Sequence, residues 1–198
     1  MRMRQIAYFD KPGEQNTDTT IRLALERALE LGIRHAVVAS SSGDTGVKAA
    51  KAFHGKIPRI VVVASHVGFS APGVRSLQAD AERELKELGA VTVEQTHALS
   101  AVERSITRRL GGVSRVESIA EALRTLTGVG TKVCVEISIM AADGGHVPVD
   151  GNTEIIAIGG TRCGADTACV ILPAHANNFF DLQIREFIAM PRDKSWGE

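Results

Sequence analysis

Aromatic residues make up only 4% of this 198-residue chain. That leaves too few flat side chains for a stacking surface that holds single-stranded nucleic acid. An excess of charge is missing as well: 23 Lys and Arg face 23 Asp and Glu. No basic surplus marks a nucleic-acid or anionic-membrane partner, and neither is expected. Cysteine is scarce and odd in number, with Cys134, Cys163 and Cys169 in no Cys-x-x-Cys spacing. This argues against a disulfide framework and a thiolate zinc site, and it fits a reducing compartment, so a cytoplasmic location is expected. No apolar run reaches membrane-spanning length, and the first residues lack a signal peptide's basic-then-apolar order. Walker, Gly-x-Gly-x-x-Gly and His-Glu-x-x-His motifs are missing, as is any Ser-His-Asp order; no metal site is expected.

What the chain does have is an alternation of short apolar runs with amphipathic stretches. Ile33–Ala39, Arg59–Ser65, Ala90–Glu94, Glu154–Ile158 and Ala168–Leu172 read as strands. Ile60-Val61-Val62-Val63 is apolar without alternation, as in a parallel sheet covered on both faces. Helices are expected over Thr17–Leu31, Thr45–His54, Val74–Leu88, Ala98–Leu110 and Ser118–Leu126, several of them stopped by glycine. Residues 131–143 fit a strand or a helix by periodicity. Length, the glycines that follow and a capping Thr131 favour a helix, which also supplies the crossover to the next parallel strand. The link from Gly159 to Thr167 is too short for a helical crossover, so the last two strands should run antiparallel. A short N-terminal segment ending at Tyr8 and Phe9 suits an edge strand, and Phe180–Met190 is a further short segment. The expectation is a single α/β domain over residues 1–198: a three-layer α/β/α sandwich, its sheet mostly parallel with one antiparallel edge strand. The apolar helix 131–143 suggests a face for a homo-oligomer.

Ligands of such sheets sit beyond the carboxyl ends of the strands. Four segments should meet there: Ser40 to Gly46, Ser65 to Gly68, Thr96-His97 and Gly159 to Arg162. The first, Ser40-Ser41-Ser42-Gly43-Asp44-Thr45-Gly46, is a hydroxyl- and glycine-rich turn between a strand and a helix. Unpartnered first-turn amides and the helix dipole favour an anion at that point, and hydroxyls add donors. The plainer alternative is an ordinary turn with Asp44 or Thr45 as N-cap. Gly159-Gly160-Thr161 permits close backbone approach, for example by a flat ring, or is simply a turn. Arg162 can pair with a phosphate. His66 is either a loop-capping residue or, with Asp44, an acid or base of an enzyme that acts with flavin or on a phosphate ester.

The Ser40–Thr45 loop, the helix after it and Arg59-Ile60-Val61-Val62-Val63-Ala64 together resemble the carboxy-terminal domain of pyruvate kinase. A group of small stand-alone proteins, largely archaeal and similar to that domain, is a closer match. The resemblance is carried by Phe9-Asp10-Lys11-Pro12-Gly13-Glu14-Gln15-Asn16-Thr17, Gly159-Gly160-Thr161, Gly164-Ala165-Asp166-Thr167-Ala168 and Pro173-Ala174-His175-Ala176-Asn177-Asn178-Phe179-Phe180. It implies a mixed sheet, an oligomer and a phosphorylated small-molecule ligand. Flavin mononucleotide (FMN) is the expected cofactor, its phosphate on Ser40–Gly46 and its ring by Gly159-Gly160-Thr161. Glu14, Asn16 and Thr17 would add polar contacts. The resemblance does not imply pyruvate kinase activity, which resides in a barrel of about 250 residues that this length has no room for.

Overall fold

The computed structural model describes residues 3–195. One seven-stranded sheet organises it, in the order β1-β7-β6-β5-β2-β3-β4. The strands are β1 (Ala7–Phe9), β2 (His35–Ala39), β3 (Arg59–Ser65), β4 (Val91–Gln95), β5 (Ile155–Gly159), β6 (Thr167–Leu172) and β7 (Gln183–Pro191). The helices are α1 (Thr17–Leu31), α2 (Asp44–Phe53), α3 (Ala79–Glu87), α4 (Val102–Leu110), α5 (Arg115–Thr127) and α6 (Val129–Asp143). The β5-β2-β3-β4 run is parallel, with Val37 level with Val61 on one side and Ala157 on the other. β6 alone runs against its neighbours, pairing antiparallel with both β5 and β7, and β7 then pairs parallel with β1 at the edge. The architecture is the expected mostly parallel α/β/α sandwich, its antiparallel part confined to the β7-β6-β5 side.

Side-chain alternation explains the layers. Ala36, Val38, Ile60, Val62, Ile156 and Ile158 point to one face, where α1, α2 and α3 bring Ile21, Ala24, Ala28, Phe53 and Leu85. Val37, Val61, Val63, Ile155 and Ala157 point to the other, against Cys134, Ile137, Met140 and Ala141 of α6. Both faces of the central strands are therefore dry. Full burial of each such Val or Ile favours the fold by about 1.5–3 kcal/mol.

α6 is the innermost helix. All residues from Gly130 to Ala142 except Val133 are buried. Its outer side lies under α5, where Val135 and Ile139 meet Ala120. The apolarity of 131–143 is thus used inside the chain, and it does not of itself mark an oligomer face. Gly128, with φ 96°, occupies the helix's N-cap position instead of Thr131. Thr131 is buried, and its hydroxyl donates back to the Thr127 carbonyl. Other boundaries differ from expectation: α4 begins at Val102 rather than Ala98, and α5 at Arg115 rather than Ser118. Val74–Gln78 is not helical, because the Arg75 guanidinium is forked between Glu82 and Glu94 and the Gln78 amide donates to the Ser42 carbonyl. The tail segment is a full nine-residue strand, β7.

Candidate functional site

All strands except β6 end on the same edge of the sheet, so their following loops gather there. Between the loops after β1, β2 and β5 lies a cavity of about 860 Å³. Ser40, Ser41, Ser42, Asp44 and Thr45 line one side, and Glu14, Thr17, Gly160, Arg162, Cys163 and Gly164 line the other. Val133 and Ala39 contribute apolar surface, and Lys48 stands at the α2 side.

The hydroxyl loop extends the sheet before it turns. The Ser40 amide donates to the Val63 carbonyl at 2.9 Å, and the Ser41 and Ser65 hydroxyls are 2.9 Å apart. Gly43 is the N-cap residue of α2, at φ 104° and with no side-chain cap. A Cβ there would stand 2.4 Å from the Ala81 Cβ, so α3 demands glycine at this position. Gly46 is likewise pressed on Val62. Asp44 and Thr45 are therefore first-turn residues rather than the N-cap. The Ser42 hydroxyl donates to the Asp44 carboxylate at 2.7 Å. The helical ladder begins with Val47 N–H on the Gly43 carbonyl, which leaves the amides ahead of it at the cavity end without helical acceptors.

The opposite wall is locked by one buried carboxylate, Asp166. It accepts the Gly13 amide at 3.0 Å, the Thr161 amide at 3.1 Å and the Thr167 hydroxyl at 2.9 Å. Thr17 ties the same two loops: its hydroxyl donates to the Glu14 carbonyl and accepts the Ala165 amide. Asn16 is buried beside the wall, its side-chain amide donating to the Lys11 carbonyl at 2.8 Å. Gly159 faces the Gly130 carbonyl, which a Cβ would approach to 2.6 Å; Gly160 faces the Gly164 carbonyl in the same way. Of the pair, Gly160 is the one that lines the cavity. Arg162 has φ 66°, a left-handed conformation that is strained for a non-glycine residue.

His66 lies elsewhere. It lines a neighbouring cavity of about 450 Å³, its Nδ1 2.8 Å from the Val67 carbonyl oxygen and its ring edge-on to Phe69 and His97. Thus Ser40, Ser41, Ser42, Asp44, Thr45, Glu14, Thr17 and Gly160 converge on one cavity. Gly43, Gly46, Gly159, Thr161 and Asn16 shape it from behind, and His66 belongs to the next one. Sequence reasoning assigned no role to Asp166, Val133 or Cys163. Asp166 did leave a signal: an acidic residue inside the small, apolar run just ahead of a buried strand.

The wall has balanced charge. Glu14 and Asp44 oppose Lys48 and Arg162, and Lys48 also reaches Asp18 at 3.4 Å. Such a surface suits a ligand with an anionic end and hydroxyl or N–H donors elsewhere. No helix is long and apolar enough to cross a membrane among the described residues, and no cluster of three or more His, Cys, Asp and Glu residues there has the arrangement of a metal site. No protein-family model matches the chain.

Proposed function

We propose that the protein binds a phosphorylated small molecule, FMN, in the 860 Å³ cavity. The reading rests on one observation: a serine- and threonine-lined cavity opens at the first turn of α2, where a buried parallel strand ends. Helix amides and hydroxyls at that turn supply the donors a phosphate takes. The volume falls in the range of about 300–1,000 Å³ usual for small-molecule sites. The isoalloxazine ring would lie on the Gly160 backbone, and the ribityl hydroxyls would donate to Glu14 and Asp44, which gives the two carboxylates a use. The resemblance to stand-alone pyruvate kinase carboxy-terminal domain-like proteins supports flavin over other phosphate esters and supports a homo-oligomer. Val102, Ile106 and Leu110 leave exposed apolar surface on α4 for such contacts.

Calorimetric titration with FMN against riboflavin tests the reading. FMN should bind at least about tenfold more tightly, the worth of one or two charge-assisted hydrogen bonds. Thr45→Val should weaken FMN and leave riboflavin unchanged. Equal affinity for the two flavins would overturn the phosphate assignment. Gly43→Asp is a poorer test, since its side chain would collide with Ala81.

A further inference from the structure

The neighbouring cavity, at the ends of β3 and β4, differs in kind from the first. Arg104, Arg108 and Arg109 of α4 line it with Ser100, His66 and Phe69. Among the described residues no carboxylate lines it.

The α4 guanidinium groups are not paired among the described residues, although Arg104 and Ser100 also line an adjoining cavity of about 290 Å³ that holds Glu117 and Glu121. Arg27 is held by Glu30 and Glu186, and Arg75 by Glu82 and Glu94. The three α4 arginines have no ion pair or hydrogen bond to an acidic side chain among the described residues. Arg104 and Arg108 are one helical turn apart, a spacing at which like charges repel and weaken a helix. Lys132 and His97 lie close enough to feel Arg104. Burial holds both pKa values below their ordinary range, and the guanidinium charge adds to that effect. Ala101, the N-cap residue of α4, has φ 55° and ψ −113°. Ala101 and Arg162 are the two non-glycine residues at positive φ among the described residues, and each lines one of these two cavities. Backbone strain of this kind gathers at ligand sites. Beside the arginines, Phe69 lines the cavity and leans on His97 behind it, ring centroids 5.0 Å apart and planes tilted by 46°.

We propose that this cavity is a second, separate binding site for a small phosphorylated molecule, whose phosphoryl group is taken by the guanidinium groups of Arg104, Arg108 and Arg109 and the hydroxyl of Ser100. The planar fork of arginine matches phosphoryl oxygens two at a time. The assignment does not depend on the Ser40–Gly46 loop.

Inorganic pyrophosphate is the probe, titrated calorimetrically into the full chain at low and moderate salt. The double variant Arg104→Gln/Arg108→Gln should weaken binding at least about tenfold, while Thr45→Val and the exposed control Arg83→Gln leave this site unchanged. Where pyrophosphate fills both cavities, the isotherm shows two sites and the arginine variant removes one of them. Arg108→Gln, altered at an exposed position, carries the same test with a smaller loss should the double variant fold poorly. No binding at millimolar pyrophosphate overturns the proposal, as does equal weakening by Arg83→Gln. Loss confined to Thr45→Val overturns it while leaving the first cavity's reading intact.

Discussion

Asp166 is fully buried, and its carboxylate joins two segments far apart in sequence, the Gly13 turn and the Thr161 turn. One oxygen, Oδ2, accepts both backbone amides, while the other accepts the Thr167 hydroxyl. An asparagine can reproduce this set, with its oxygen on the two amides and its NH₂ donating to the Thr167 oxygen. Alanine cannot, and leaves two buried N–H groups without acceptors. Asp166→Ala should therefore cost roughly 2–5 kcal/mol and Asp166→Asn about 1 kcal/mol, read from urea unfolding. Equal costs would show that the charge itself matters, for instance through its attraction for Lys194. The glycines carry a related lesson. A glycine in the sequence announces close approach but not by what. Gly159 and Gly160 fitted either a flat ring or a plain turn; the Gly130 and Gly164 carbonyls take up the side-chain positions of both, and of the pair Gly160 alone lines the cavity with its backbone. Gly43, within the hydroxyl- and glycine-rich turn, is required by α3, whose Ala81 occupies its side-chain position.

Among the elements, those with one strong periodicity were legible and those decided by tertiary partners were not. The C-terminal end of α1 followed from local chemistry: Gly32 adopts φ 68°, and its amide closes the last turn on Ala28 and Leu29. The strand β3 announced burial on both faces through its unbroken apolar run, Ile60 to Val63. The start of α3 was illegible because a charged, helix-compatible stretch is held extended by the Arg75 fork, whose partners come from other elements. β7 was blurred because its pairing with β6 shifts register twice, which breaks the period-two pattern. α6 shows the same dependence on context. Its ambiguous pattern reflects a helix enclosed on both sides, and within it Lys132 and Glu136 form a buried ion pair one turn apart. Glu136 also accepts the Leu99 amide at 2.9 Å, fastening the loop that leads to α4. Lys132→Met strands that carboxylate in a dry interior. A loss of about 3–5 kcal/mol is expected, measured by urea unfolding. A loss below about 1 kcal/mol would mean that water reaches the pair.

Over the whole molecule, one architectural fact accounts for both cavities: every strand but β6 ends at the same edge, so the loops that carry polar and strained residues share it. That convergence was legible from the βα alternation, whereas the division into two cavities was not, since it depends on α4 meeting the loop after β3 around a cavity of its own. The same fold sets how stability varies with pH. Burial holds the pKa values of His35, His97 and His146 below the ordinary histidine value. His35 Nδ1 is buried without a partner, and the Arg59 guanidinium is set to donate to His146 Nδ1 at 3.4 Å, so a proton on either nitrogen is unwelcome. The unfolded chain takes up protons as pH falls through about 6.5, before the folded one does, so stability must fall with it. Above about pH 7 these histidines are neutral in both states and contribute no slope. The carboxylates held low by their partners, Glu30, Glu82, Glu186 and Asp193 among them, contribute stability that is lost in the same direction but at lower pH. Asp150, held to about 2 by hydrogen bonds from Thr153 and Asn152, adds stability that is lost only in much stronger acid. The urea midpoint should therefore be flat from pH 8 to 7 and fall between pH 6.5 and 5. The triple variant His35→Gln/His97→Gln/His146→Gln should flatten that fall. An undiminished slope in the variant would assign it to other groups and refute the histidine account.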